Sequence, residues 1–313
     1  MQRTVTVYIK LVMTMFFWGG TFVAGKWAVG EAPPFFVASL RFAIASVLLW
    51  ALVAWRSKRT GERFPVPEGR GQWAGLVSLG LTGVFLYNFV FLTGLSWTSA
   101  TNGSLIVAFN PLLTAVLSAL WLKERIRPVQ AGGFLLALLG VGVVVTRGSI
   151  AVMRSLSFNP GDLLMLGAPV AWALYTILGK KALVRFPPLV ATAYACLFGT
   201  LLLLPAAALE GSLPSGVYRL TVFGWISVLQ LALLGTVAGF VWWYEGVEML
   251  GASRAAVFVN LVPLFGVLLS ALILSESLEI SQLAGGILIV LGVGIGTLGG
   301  RKDRDGAAGE AAG

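Results

Sequence analysis

Apolar residues in this chain gather in runs of about twenty, separated by short joints that carry proline, glycine and charge. A bilayer core of about 30 Å takes roughly 20 helical residues, and that ruler predicts ten spans. They cover 8–29, 34–55, 72–93, 99–122, 128–146, 161–178, 188–209, 221–243, 251–274 and 280–298. Joints such as Glu31 to Pro34 and Arg185 to Pro188 place proline at helix starts, where the missing amide costs nothing. The opening MQRTVTVYIK has a basic start before an apolar run, but no small-residue cleavage site follows, so it reads as a retained first helix. The tail after Gly300 is small, charged and without apolar period, which predicts disorder.

The pattern repeats. Shifted by 152 residues, the segment from Ser99 to Glu124 lies over Gly251 to Glu276 without a gap. Pro111 falls on Pro263, Glu124 on Glu276, Gln130 on Gln282, and Gly140-Val141-Gly142 on Gly292-Val293-Gly294. From Gly94 to Thr146, 18 of 53 positions are identical. The first helices agree at a shift of 154, with Trp18 to Lys26 over Trp172 to Lys180 and Pro34 over Pro188. The chain therefore divides into five-helix units at 1–150 and 151–300, followed by a tail at 301–313. Five is odd, so the second unit enters the membrane from the opposite face. Inverted repeats of this kind mark secondary transporters, with the site between the halves.

Composition narrows the class. The chain has 313 residues, 58% hydrophobic and 11% charged, with a mean hydropathy of +0.89. A soluble domain carries about 25% charged residues, so this is an integral membrane protein. The net charge of +9 is not gathered in one block, which argues against a nucleic-acid partner. With a cytoplasmic N-terminus, 16 basic residues fall inside and four outside, among them Lys26, Arg147, Arg154 and Arg219. That balance satisfies the positive-inside rule with both termini cytoplasmic. Only the joint after the eighth span departs from it, because Glu245 and Glu248 have no basic neighbour there. The single cysteine and the absence of histidine rule out an internal disulfide and remove the commonest proton shuttle and metal ligand.

The WGGTFVAGK opening, Arg41-Phe42, the TSATNGSLIVAFNPLLTAVLSALWLKE segment with its second-half counterpart, and the closing GGILIVLGVGIG together resemble the EamA family of the drug/metabolite transporter superfamily. The likeness covers residues 8 to 299, and within the family the chain resembles the YddG-type bacterial amino-acid exporters. It implies an all-α integral membrane fold of ten transmembrane helices in two inverted five-helix repeats. It also implies a central cavity among helices three, four, eight and nine, and a place in the bacterial inner membrane.

Candidate substrate-binding residues follow, each with a structural alternative. Asn102, Phe109 and Asn110 share a face of the fourth span and either line the cavity or bond across helices. Asn260 lies in the matching ninth span. Tyr87 and Asn88, and Trp242 with Tyr244, offer aromatic faces and donors, although the latter pair also fits an interfacial belt. Trp18, Trp172 and Tyr175 occupy equivalent helices and either line the site or pack the repeat interface. Arg41 lies seven residues into the second span, a costly place for a charge, and holds either a carboxylate or a structural partner. Lys26 fits snorkelling to headgroups. Pro111 and Pro263 each predict a kink.

No acidic residue lies mid-span, so the chain lacks the buried carboxylate a proton antiporter shows. Facilitated or loosely coupled transport is expected, with Glu245 as the fallback proton site. The leading reading is an exporter of small amphipathic metabolites, most plausibly neutral or aromatic amino acids, by alternating access, acting as a monomer or weak homodimer without cofactors. A broad drug or metabolite exporter is the second reading. A lipid-modifying enzyme is the third and lacks any nucleophile–base pair.

Overall fold

The computed structural model describes residues 2–61, 66–122, 128–155, 158–211, 220–251, 255 and 258–299. Within these, helices α1 (Gln2–Glu31), α2 (Pro34–Thr60) and α3 (Gly69–Trp97) are followed by α4 (Ala100–Val107), α5 (Asn110–Leu122), α6 (Pro128–Val145) and the short α7 (Ile150–Ser155). The second half contains α8 (Pro160–Ala182), α9 (Pro188–Leu209), α10 (Val222–Leu250), α11 (Leu261–Ile273) and α12 (Ile280–Gly299). Helices α1, α2, α3, α8, α9 and α10 are long and apolar enough to cross a membrane. Their outward faces are apolar, as at Val47 (70% exposed), and so are those of α6 and α12, as at Leu139 (64%) and Ile287 (60%). Such a belt needs lipid rather than water around it.

The fourth and ninth expected spans are not continuous. Residues 108–109 form a turn between α4 and α5, and 259–260 form one before α11. Pro111 and Pro263 sit in the first turn of the helices that follow, where their missing amides cost little. Bonds to the third residue back tighten both turns, Phe109 N–H to Ile106 at 3.2 Å and Val262 N–H to Val259 at 2.9 Å. The expected kinks are therefore breaks. A third break, at Leu166 in α8, lies three residues before Pro169. Glu124, Arg63, Arg219, Arg254, the other basic residues of 123–127 and the tail from Gly300 lie outside the described residues.

A symmetric seam joins the halves. A Cβ on Gly140 of α6 would sit 2.6 Å from Gly285 O of α12, and one on Gly292 would sit 2.6 Å from Gly133 O. Under the 152-residue shift Gly133 becomes Gly285 and Gly140 becomes Gly292, so the contact maps onto itself. A two-fold relation between the halves produces this reciprocity. It recurs inside the bundle, where Trp18 and Trp172, 154 residues apart, meet edge to face at 4.9 Å. Ser46 and Thr200, also 154 apart, place their hydroxyls 3.2 Å from each other. Even the irregularities match, since α3 is π-helical over Gly80–Leu86 and α10 over Gln230–Ala238.

The seam generates a prediction of opposite signs. Gly292→Val or Gly140→Val meets backbone atoms and should destabilise the detergent-solubilised protein by about 1–3 kcal/mol, as overpacking does. Gly142→Ala meets nothing within 4 Å and should be neutral or slightly stabilising, because alanine is the better helix former. Thermal unfolding of the three variants checks this.

Candidate functional site

A cavity of about 30 Å³ lies between the halves. Trp18, Thr21 and Phe22 of α1 line it with Tyr87 and Phe91 of α3, Trp172 of α8 and Phe240 of α10. Val107, Val259 and Val262 come from the broken fourth and ninth segments, and Arg41 of α2 supplies the charge. The rings form a box. Trp172 lies 5.2 Å from Phe240 and 5.4 Å from Tyr87, each edge to face, while Tyr87 stacks on Phe91 at 5.4 Å.

The π-helical stretches make the box possible. Their amides reach five residues back, Tyr87 to Thr82 O and Gly239 to Leu234 O, which shifts the helix face by one residue and frees carbonyls. Gly235 O accepts from Trp18 Nε1 at 3.0 Å. Glycine is required at Gly83, where a Cβ would enter the ring of Tyr175, and at Gly235, where it would lie 2.8 Å from Thr21 Cγ2. Tyr175 and Thr21 are themselves equivalents at a shift of 154.

Arg41 is 3% exposed. Its Nε donates to Thr236 Oγ1 at 2.8 Å and its Nη1 to Asn88 Oδ1 at 3.1 Å. Among the described residues no carboxylate pairs with it, and Nη2 has no hydrogen-bond partner. Neutral acceptors therefore hold a full buried charge. Trp172 Nε1 is a second donor, buried and without a partner, although its counterpart Trp18 has one.

The remaining expected residues lie elsewhere. Tyr175 and Tyr244 stack at 5.1 Å beside the cavity toward the face that carries the start of α1, the N-terminal face, without lining it. Phe109 is buried in the turn after α4. Asn110 Nδ2 donates to Pro169 O at 3.1 Å and ties α5 to α8. Trp242 is half-buried against Phe17 with Lys10 over its ring at 5.8 Å. Asn260, in the turn before α11, keeps Oδ1 unpartnered beside Val259 and Val262. Asn102 points away from the cavity to the opposite, distal face, where Asp162 and Gln282 hold it. Phe240, Phe91 and Thr236 were missed. The spacing of Phe240 from Trp243 and Tyr244 on α10 was the available signal.

Two electrostatic expectations are corrected. Asp162, near the start of α8, is fully buried, so the chain does contain a buried carboxylate. Glu245, with no basic residue in its own joint, pairs with Lys10 of α1, whose Nζ lies 2.6 Å away. Lys26 does not reach for headgroups. Its Nζ caps the end of α3 through Leu95 O at 2.9 Å and Thr98 O.

The distal face is stitched shut by carboxylates on helix N-termini of the opposite half, where anions are favoured. Glu276 accepts from the Ala100 and Thr101 amides at 3.0 Å each. Glu31 accepts from Thr221 N–H at 2.8 Å, and Glu210 from Phe36 N–H at 3.2 Å.

Comparison with known proteins agrees with this architecture. The EamA-like transporter family matches residues 5–146 and 159–297, once per half. The uncharacterized transporter YyaM of Bacillus subtilis is 32% identical over 93% of each chain. An uncharacterized transporter of Archaeoglobus fulgidus is 34% identical over 91% of this chain and 95% of its own. One solved crystal structure superposes with a TM-score of 0.67 over 95% of this chain and 99% of its own, at 22% identity, a likeness of fold. The chain belongs to the EamA-like transporter family and is a multi-pass membrane protein.

If Arg41 is kept for a ligand rather than for stability, three variants separate. Thr236→Val and Asn88→Ala leave a buried charge short of acceptors and should each cost about 1–3 kcal/mol. Arg41→Met removes the charge at similar volume and should leave stability within about 1 kcal/mol of the parent or raise it. Thermal unfolding in detergent reads the difference, and a large loss in Arg41→Met would make the arginine structural.

Proposed function

We propose that this protein carries a small amphipathic metabolite with a carboxylate and an apolar or aromatic body, most plausibly a neutral or aromatic amino acid, across the membrane by alternating access. The observation that carries this reading is Arg41, a buried cation with no carboxylate beside it among the described residues, in a box of aromatic rings. A substrate carboxylate supplies the missing partner, bidentate in the way guanidinium favours. Trp172 Nε1 stands free to donate to it, and the ring faces receive the side chain. A cation is repelled by Arg41, and an uncharged drug offers it only a further neutral acceptor of the kind Thr236 and Asn88 already supply.

In this reading the broken and shorter segments cross the membrane as well, making ten spans in two inverted repeats. The protein sits in a bacterial inner membrane with both termini cytoplasmic and exports its substrate as a monomer or weak homodimer. A cavity of about 30 Å³ holds about one or two waters, whereas small-ligand sites run about 300–1,000 Å³. A metabolite of that size therefore requires the cavity to widen on binding.

A labelled amino-acid panel in proteoliposomes tests the proposal. Saturable flux of phenylalanine, tryptophan or a neutral amino acid is expected. Arg41→Met should lower it at least about tenfold, and Trp172→Phe, which keeps a ring but loses the N–H, by about fivefold. Flux of cationic drugs in place of amino acids, undiminished by Arg41→Met, would refute it.

A further inference from the structure

Two ties between the halves lie at opposite faces and join equivalent pairs of helices. At the N-terminal face Lys10 of α1 pairs with Glu245 of α10. At the distal face Asp162 of α8 accepts a hydrogen bond from Thr98 Oγ1, just beyond α3. Helices α8 and α3 are the repeat counterparts of α1 and α10. The chemistry differs, however. The first tie is an ammonium–carboxylate pair with both side chains about 30% exposed. The second is a fully buried carboxylate held by neutral donors alone.

Asn102 Nδ2 of α4 lies 3.2 and 3.3 Å from the two Asp162 oxygens, and Gln282 Nε2 of α12 holds Asn102 Oδ1 at 2.7 Å. One carboxylate thereby gathers α3, α4, α8 and, through Asn102, α12. Three charged groups face this corner. Lys26 of α1 directs its Nζ to the Leu95 and Thr98 carbonyls, Glu276 holds the α4 amides, and Arg147 beyond α6 is exposed. None forms an ion pair with Asp162 among the described residues. An ionisable side chain buried within a membrane span is a functional candidate by default. An open groove of about 650 Å³, lined by Trp97, Arg147, Phe158 and Asn159, adjoins the chain next to Thr98 and close to Asp162 at the distal surface, so water reaches both segments.

We infer that Asp162 is a proton-binding site whose ionised form latches the distal face and whose protonation releases it. The inference rests on the transport reading above. A proton from the distal solution forms one O–H bond on the carboxylate, and no other covalent bond changes. The bonds from Thr98 and Asn102 lose charge assistance, which makes such bonds about twice as strong as neutral ones. The Lys10–Glu245 pair at the other face is untouched. Protonation thus biases one face only, which is the differential effect a shift between two states requires. Proton movement becomes linked to opening on one side.

The test places a cysteine one turn below the latch, by Met165→Cys in a Cys196→Ala background, in nanodiscs. Met165 is fully buried and packs against Gly94 and Gly103. Labelling by a methanethiosulfonate is normalised to Leu209→Cys, an exposed distal position (90%). The normalised rate should rise at least about fivefold between about pH 8 and about pH 5. With Asp162→Asn it should be high at both, about tenfold above the parent at the upper pH, as a factor of ten needs only a modest free-energy change. Asp162→Glu should keep the response. If Asp162→Asn does not fold, Thr98→Val serves instead and should also raise labelling at the upper pH. Labelling that is flat with pH in the parent, or unchanged in whichever of these variants folds, overturns the inference. Amino-acid flux is read separately, so a transporter with no latch and a latch without amino-acid flux give different results.

Discussion

Because the two halves pack as equivalents, residues on the axis between them must meet their own counterparts, and the site follows from that. Trp18 faces Trp172 and Ser46 faces Thr200. Two indoles edge to face at 4.9 Å keep α1 and α8 from closing at mid-height, and the gap is walled by the rings of α3 and α10. The glycine seam of α6 and α12 lies at the periphery, where backbones approach as closely as transmembrane helices allow. In the proposed transport cycle its tight packing would leave the central helices as the part that rearranges.

Function shows where symmetry is broken. Arg41 has Ala195 as its counterpart, so one half supplies the charge and the other a small side chain. Thr21 and Tyr175 are equivalents that fill unlike volumes against Gly235 and Gly83. A symmetric pair of sites would bind a symmetric ligand, whereas in the proposed reading this arrangement would fix one orientation of a ligand with a charged end and an apolar body. Buried charge is costly in lipid. Here hydrogen bonds from Arg41 to neutral acceptors reduce that cost without cancelling it.

The repeat, most helices and the charge at Arg41 were legible because each rests on local sequence. Length and hydropathy set the spans, identity at a fixed offset set the repeat, and a lone arginine among apolar residues is conspicuous. Arg41 with Asn88, Trp18 with Trp172, and Tyr87 do come together. What escaped depends on which helix neighbours which. Asp162 reads as a span-end residue, yet it is buried because α3 ends against it and Thr98 and Asn102 supply its donors. Lys10 and Glu245 are 235 positions apart, and no local rule pairs them. The π-helical stretches have no sequence signature beyond glycine, and they decide which faces of α3 and α10 reach the cavity.

Among the described residues, the two faces are tied by different chemistry. At the N-terminal face a part-exposed ion pair contributes about 0–1 kcal/mol, with aromatic packing behind it. At the distal face three glutamates satisfy helix N-termini across the halves, each contributing about 0.5–2 kcal/mol as caps do and least where exposed, as at Glu210. The Asp162 network adds to them. In the proposed transport cycle, opening the distal side means breaking these ties, and a ligand carboxylate bound to the unmatched charge of Arg41 would offset that barrier. Partial release of the distal ties by a proton would lower the same barrier from the other side.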